Sequence, residues 1–503
     1  MKKRKKRKKR QTNYLIGLAG SLLLLTVLLV VYQSGFLSGN GSRPGGQSQA
    51  EEAGTVKKAG LGEEPGADGE EGTGSGTGTG DAQGAGTGST GDEGLGTGQG
   101  SGAGDSEESQ GTGTGGTGDA QGTGTGGTGD GQGAGNEGLG TGGTGSPQAL
   151  SAEELQEKVQ AKLSSMSLEE KVAQLFLITP EALTGAGTVT QAGEATRAAL
   201  EQYPVGGLIY FQGNIVSEQQ VTDMITRQQQ FSQERIGLPL LISVDEEGGQ
   251  VTRVASCANV DVPKFEDTAQ IGASGDSSRA HASGQAIGSY LSRMGFNLDF
   301  APVADTLTNP DNTVVKRRSY GSDPQTVAEM AAQNLKGLES QGVYGCIKHF
   351  PGHGATLGDT HNGYAYTDKS WEDLKESDLI PFQRCIAEGV SFVMVGHISL
   401  PQAIGDDVPA SCSQTAIQGY LRGELGYQGI VLTDALNMGA IVDQYSSAQA
   451  AIKAFQAGSD MLLMPADFRS AYQGVLDAVN QGSISQERLN ESVTRILKIK
   501  MQI

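Results

Sequence analysis

Cysteine, histidine and tryptophan are all scarce in this chain of 503 residues, which has four, five and one of them. Cys257, Cys346, Cys385 and Cys412 include no C-x-x-C pair, which excludes a zinc ribbon or a dithiol redox motif. Bases are fewer than acids, 37 against 57, and no basic stripe interleaved with aromatics occurs in the globular part. Such a chain is a poor partner for nucleic acid. Charge-free apolar runs are also rare; the prominent one is Tyr14 to Tyr32. At about 1.5 Å per residue it spans roughly 28 Å, one hydrocarbon core. Nine of the first ten residues are Lys or Arg, so the N-terminus is expected in the cytoplasm and everything after Tyr32 outside. A cleaved signal peptide is the rival reading, but the run is long for one and no clear A-x-A site follows. The expected organisation is a basic tip at 1–13 and a transmembrane helix at 14–32, making this a single-pass protein of the cell membrane.

Residues 33–147 lack a different ingredient, the apolar side chains a core needs. GDAQGAGTG at Gly80 returns as GDAQGTGTG at Gly118, and DEGLGTG at Asp92 returns as NEGLGTG at Asn136. A solenoid buries apolar residues in every repeat, and these have almost none. A disordered, weakly acidic spacer is expected, with an end-to-end distance of roughly 60 Å as a random coil. Only 148–503 reads as globular, an ordinary length for an α/β barrel.

Within it, eight short Val/Ile/Leu-rich runs alternate with longer amphipathic stretches: 172–178, 206–211, 238–245, 297–303, 343–349, 390–397, 429–434 and 459–464. They are apolar on both faces, as parallel strands covered by helices are. Among the intervening helices, 217–234 is amphipathic, and another opens at Asp323-Pro324, a capping residue followed by proline in the first turn. Eight strand–helix alternations predict a TIM-type (β/α)8 barrel. Asp245, Asp305, His349, His397 and Asp434 then fall at or just after strand C-termini, the face that carries the active site in this architecture. Buried acids and histidines there are costly unless they are used.

Three of the five histidines lie in KHFPGHGATLGDTH, Lys348 to His361. Pro351 and the glycines forbid regular structure beyond the strand, so His349 and His353 do not share a helical face as zincin histidines do. A zinc site from His349, His353, Asp359 and His361 stays as a minor alternative. In an acid–base reading, Asp359 orients the His361 ring and stabilises its protonated form. Asp434, which closes the strand in GIVLTDALNMGA, is the candidate nucleophile on a rigid element. Asp, Lys, Arg and further His residues around a cleft suit a hydroxyl-rich ligand such as a sugar.

These residues match a known pattern. VDEEGGQVTR (244–253), NLDFAPVAD (297–305), RSYG (318–321), KHFPGHG (348–354), GDTH (358–361), VMVGHISLP (393–401), ELGYQGIVLTDALNMGA (424–440) and GSDMLLMP (458–465) together resemble glycoside hydrolase family 3, in its β-N-acetylglucosaminidase branch with a His-Asp dyad. The resemblance implies that Asp434 is the nucleophile, His361 the acid/base and Asp359 its partner. It also implies that Asp245, Arg253, Arg318, Lys348 and His349 contact the terminal sugar, and that no cofactor or metal is required. Gln250 stands where the family often has arginine, and Ala435 where a second acid commonly follows the nucleophile. The implied function is a retaining exo-β-N-acetylglucosaminidase acting on peptidoglycan fragments, N-acetylglucosaminyl muropeptides or related hexosaminides. Three alternatives are a phosphorylase, since an imidazole repels phosphate less than a carboxylate does, a substrate-assisted enzyme using Asp245-Glu246, and a non-catalytic wall-sugar-binding module.

Overall fold

A computed structural model describes residues 151–503. The expected basic tip (1–13), membrane helix (14–32) and spacer (33–147) lie outside the described residues. Among the described residues, no helix is long and apolar enough to cross a membrane.

All eight expected strands form: β1 Phe176–Ile178, β2 Gly207–Tyr210, β3 Leu241–Val244, β4 Leu298–Asp299, β5 Tyr344–Phe350, β6 Phe392–Val395, β7 Ile430–Thr433 and β8 Leu462–Leu463. Each pairs in parallel with its neighbour in sequence, and β8 pairs with β1. The β7–β8 seam is narrower, a single parallel bridge between Leu432 and Met461, reinforced by Thr433 N–H donating to Met461 O at 3.1 Å. The result is a nearly closed eight-stranded barrel with helices in every crossover, as the alternation predicted. Apart from Tyr344 at the entry to β5, every strand residue is buried, which is why these runs carry no polar–apolar alternation.

The first strand corrects the sequence reading. Val172, Ala173 and Gln174 belong to helix Leu168–Gln174, and β1 keeps only the last three residues of the expected run. The reason is local: Ser167 accepts from Glu170 N–H while the Glu170 side chain accepts from Ser167 N–H, a capping box that starts a helix across residues whose hydrophobicity reads equally as strand. The two helices singled out in the sequence span Glu218–Ile236 and Pro324–Glu339, with Ser217 and Asp323 as their N-caps.

The KHFPGHG segment leaves β5 at Phe350 and forms a long loop above the barrel rim. Its returning stem is held by reciprocal Leu357–Tyr366 backbone hydrogen bonds of 2.8 and 3.1 Å. Ala365–Tyr366 then runs parallel to Ile398–Ser399, just beyond β6. All four cysteines are free, and Cys346 is fully buried in β5.

Candidate active site

A cavity of about 480 Å³ opens at the C-terminal ends of the strands, a size that takes a small molecule. It is lined by all eight residues to which the family resemblance gives a role, Asp245, Arg253, Arg318, Lys348, His349, Asp359, His361 and Asp434, but not by Asp305 or His397.

One wall is a charged lattice. Lys348 reaches Asp245 Oδ1 at 2.8 Å and Glu247 Oε1 at 2.7 Å. Arg318 donates to both Glu247 oxygens, at 2.8 and 2.7 Å. Arg253 stands 3.8 Å from Asp245. Burial alone would neutralise Glu247, but Arg318 and Lys348 outweigh it and hold the carboxyl far below the usual range. Burial likewise disfavours the Lys348 ammonium, and Asp245 and Glu247 more than offset this. Glu247, Lys348 and Arg318 are thus fixed in their charged forms beneath the cavity, where hydrogen bonds to hydroxyls are worth about 1.5–3 kcal/mol each.

His349 is oriented from behind. Its Nδ1 lies 2.7 Å from Asp305 Oδ2, and Asp305 Oδ1 accepts the His349 and His353 amides at 3.1 and 2.7 Å. Nε2 of His349 points towards Arg318, 3.4 Å from Nη2. Burial opposes ionisation of Asp305, yet His349, His353 and the amide bonds keep its carboxyl below the ordinary value.

Asp434 follows β7 directly. Its amide donates to Val395 O on the neighbouring strand at 2.9 Å, and its Oδ1 accepts Ala435 N–H at 2.8 Å. Burial raises its pKa; the facing His397 and His349 rings, the Ala435 amide and Lys348 lower it further, so the carboxylate is favoured overall. His397 itself stands behind the turn, with Nε2 2.9 Å from Ala435 O and Nδ1 2.7 Å from Ser411 Oγ. It fixes the turn that carries Asp434 rather than lining the cavity.

Asp359 and His361 face the cavity from the rim loop. His361 Nδ1 is 2.8 Å from Asp359 Oδ1, and Asn362 Nδ2 donates to Asp359 Oδ2 at 2.9 Å. With Nδ1–H directed at the carboxylate, Nε2 is the nitrogen available to a ligand. Desolvation raises Asp359, and the bonds from the His361 amide and ring lower it more, keeping it ionised. The imidazole is 61% exposed on its side chain, as a group that meets a substrate from solvent should be.

The four-ligand zinc alternative does not assemble. His353 is buried between Thr356 and Thr360, His349 is turned to Asp305, and no group of three or more ligating side chains occurs among the described residues. Glu246 also loses its alternative role. Its carboxylate is fully buried and accepts the amides of Arg253, Val254 and Ala255 and the Tyr290 hydroxyl, all within 2.6–2.9 Å. The EEGG stretch is a tight turn. Gly248 and Gly249 take φ of 89° and 55°, and a Cβ on Gly249 would stand 2.7 Å from the Asp267 Cα.

Sequence reasoning missed Glu247, the central anion of the lattice, although it lies inside a motif already singled out. It also missed the apolar lining, Ile209, Phe211, Met394, Leu463 and Met464; the Phe211 ring lies 5.6 Å from the Arg253 guanidinium. These residues stand at strand ends, and position alone would have nominated them.

Comparison with known proteins follows the same outline. The model of the glycosyl hydrolase family 3 N-terminal domain matches residues 167–499. β-Hexosaminidase A of Pseudoalteromonas piscicida is 33% identical over 329 residues, 60% of this chain and 54% of its own length. β-Hexosaminidase LpqI of Mycobacterium tuberculosis is 33% identical over 355 residues, 67% of this chain and 83% of its own. Among solved structures, a family 3 β-N-acetylglucosaminidase from Paenibacillus sp. FPU-7 is 36% identical with a TM-score of 0.63, covering 67% of this chain and 63% of that one. The match therefore spans about half of the first relative and most of the second. Since the matched region takes in the barrel and every residue around the cavity, the chain belongs to glycosyl hydrolase family 3.

Proposed function

We propose that this protein is a retaining exo-β-N-acetylglucosaminidase that releases terminal β-linked N-acetylglucosamine from peptidoglycan fragments. β-Hexosaminidase relatives at 33% identity support the sugar class. The observation that carries the mechanism is that Asp434 and the Asp359–His361 pair line one cavity. A carboxylate oxygen of Asp434 attacks the anomeric carbon. The bond to the leaving oxygen breaks, and its electron pair accepts the proton from His361 Nε2. The neutral Nε2 then takes a proton from water, whose oxygen attacks the same carbon and releases Asp434. The Asp245–Lys348–Glu247–Arg318 lattice, with Arg253 and His349, holds the sugar hydroxyls. This departs from the two-carboxylate scheme usual for glycosidases.

The substrate assignment is supported by the N-terminal sequence. A membrane anchor followed by a spacer would hold the barrel outside the cell, among wall fragments. Product analysis on purified muropeptides tests both parts. Wild-type protein is expected to release free N-acetylglucosamine, with phosphate present or absent, and Asp434→Ala to lose at least about a thousandfold in rate. Sugar 1-phosphate as the main product, or full activity in Asp434→Ala, would overturn the proposal.

A further inference from the structure

The loop that carries His361 rests on the turn that carries Asp434. Gly439 N–H donates to His361 O at 3.3 Å and Ala440 N–H to Thr360 O at 3.2 Å. Both amides open the short helix Gly439–Val442, where backbone donors have no acceptor within the helix. Gly439 is required by the approach. A Cβ there would stand 2.9 Å from His361 O, 3.0 Å from Gly363 N and 3.1 Å from Asn362 C, all backbone atoms that cannot swing aside. From the other side, Thr360 is buried, with its hydroxyl 3.3 Å from His353 Nε2, and His353 N–H is held by Asp305. The loop is thus pinned at Thr360 and turns outward at His361.

We infer that Gly439 is a positioning residue for catalysis: its missing side chain lets the rim loop dock onto the Asp434 turn and sets the spacing between nucleophile and acid/base. This rests on the roles proposed above for Asp434 and His361. One five-residue step of backbone, Asp434 to Gly439, then links the two groups, and the exposed imidazole needs no contact of its own with the barrel. The nucleophile stays on its strand when the loop is displaced, so loss of docking removes proton transfer and spares the attack.

That asymmetry gives a readout that general destabilisation would not move. Gly439→Ala is expected to lower kcat about tenfold to a hundredfold on glycosides with alcohol leaving groups, which need the proton. On an aryl glycoside with a strongly acidic phenol, formation of the glycosyl-enzyme is expected to change less than about threefold. Added azide, an anion that attacks without base assistance, is expected to restore turnover and yield the glycosyl azide. Ala440→Pro removes only the second docking bond, at a first-turn position where proline is tolerated, and is expected to shift the ratio in the same direction by less. In the wild-type protein the Gly439 and Ala440 amides are expected to exchange slowly with deuterium. His361→Ala is the reference for a missing acid/base. If it shows the leaving-group dependence and azide rescue while both docking variants keep the wild-type ratio, the inference is overturned. If His361→Ala itself lacks them, the functional proposal fails instead. Should either variant not fold, fast exchange of the two wild-type amides overturns the docking and slow exchange supports it.

Discussion

Glu247 neutralises two cations that otherwise would repel one another beneath the proposed sugar site. Lys348 and Arg318 both bond to it, and all three are largely buried. Replacing it with neutral glutamine leaves an excess of buried positive charge. Glu247→Gln is expected to cost about 3–5 kcal/mol of stability, measured by urea denaturation, and to raise KM more than it lowers kcat. Sequence reasoning passed over Glu247 for a physical reason. Three consecutive acids, Asp245, Glu246 and Glu247, follow β3, and the turn at Gly248-Gly249 sends Glu246 inward to the backbone amides and Glu247 to the cations; composition does not distinguish the two glutamates. Lys348 and His349 pose a similar problem. Strand alternation predicts opposite faces, yet both line the cavity. The pairing with β6 is irregular there, with a register shift between Ile347 and Phe350. A different buried charge gives a pH prediction. Lys500 is 1% exposed and has the Gln174 carbonyl oxygen as its hydrogen-bond partner, at 2.7 Å. Burial pushes its pKa down to about 7. Between that value and the ordinary lysine pKa of about 10.4, the unfolded chain holds a proton that the folded one lacks, so stability rises with pH by at most about 1.4 kcal/mol per unit. Lys500→Met is expected to remove this slope and to gain most at and below pH 7. Urea midpoints for both proteins across that interval check it.

At the scale of elements, the two ends of the barrel have different tasks. On the end opposite the cavity, Asp460 precedes β8 and is fully buried. It accepts from Val431 N–H on β7, from Arg422 of Thr415–Glu424, and from Ser492 and Arg495 of the last helix, Gln486–Lys500. This one carboxylate ties both sides of the narrow β7–β8 seam to the helices that cover it. Asp460→Ala is expected to destabilise the fold by about 3–5 kcal/mol. At a temperature where the variant is folded, its kcat/KM is expected to remain within about twofold of wild type, because residues at this end support stability rather than chemistry. Thermal unfolding and steady-state rates report the two effects separately. Asp460 lies in GSDMLLMP, one of the motifs that marked the family resemblance, so a motif residue can be structural while its neighbour Met464 lines the cavity. The elements themselves were largely legible. Continuous burial needs continuous hydrophobicity, so each strand stood out in the sequence. Their ends were less so: β8 keeps two residues of the six expected, because the flanking residues serve the Asp460 cluster and the cavity wall.

For the molecule as a whole, the barrel from residue 151 onward contains every side chain of the proposed site. A chain beginning at residue 148 is therefore expected to keep kcat/KM on a soluble chromogenic N-acetylglucosaminide within about twofold of the full chain. It is also expected to lose sedimentation with membranes, since a span of about 20 apolar residues is what holds a protein there. Equal sedimentation of both chains would remove the anchor from the proposal. The order of eight apolar runs determined the barrel by itself, because in-sequence parallel pairing with right-handed crossovers leaves few other arrangements. Strand-end positions likewise determined which face holds Asp245, His349 and Asp434. Only the tertiary structure decided that Glu247 and not Glu246 anchors the charges, that His397 supports a turn, and that Gly439 seats the His361 loop. Those outcomes depend on which groups meet once turns and loops have folded: amides just past the Gly248-Gly249 turn for Glu246, Arg318 and Lys348 for Glu247, the Ala435 carbonyl for His397 and the His361 loop for Gly439. Such contacts leave no period in the sequence to read.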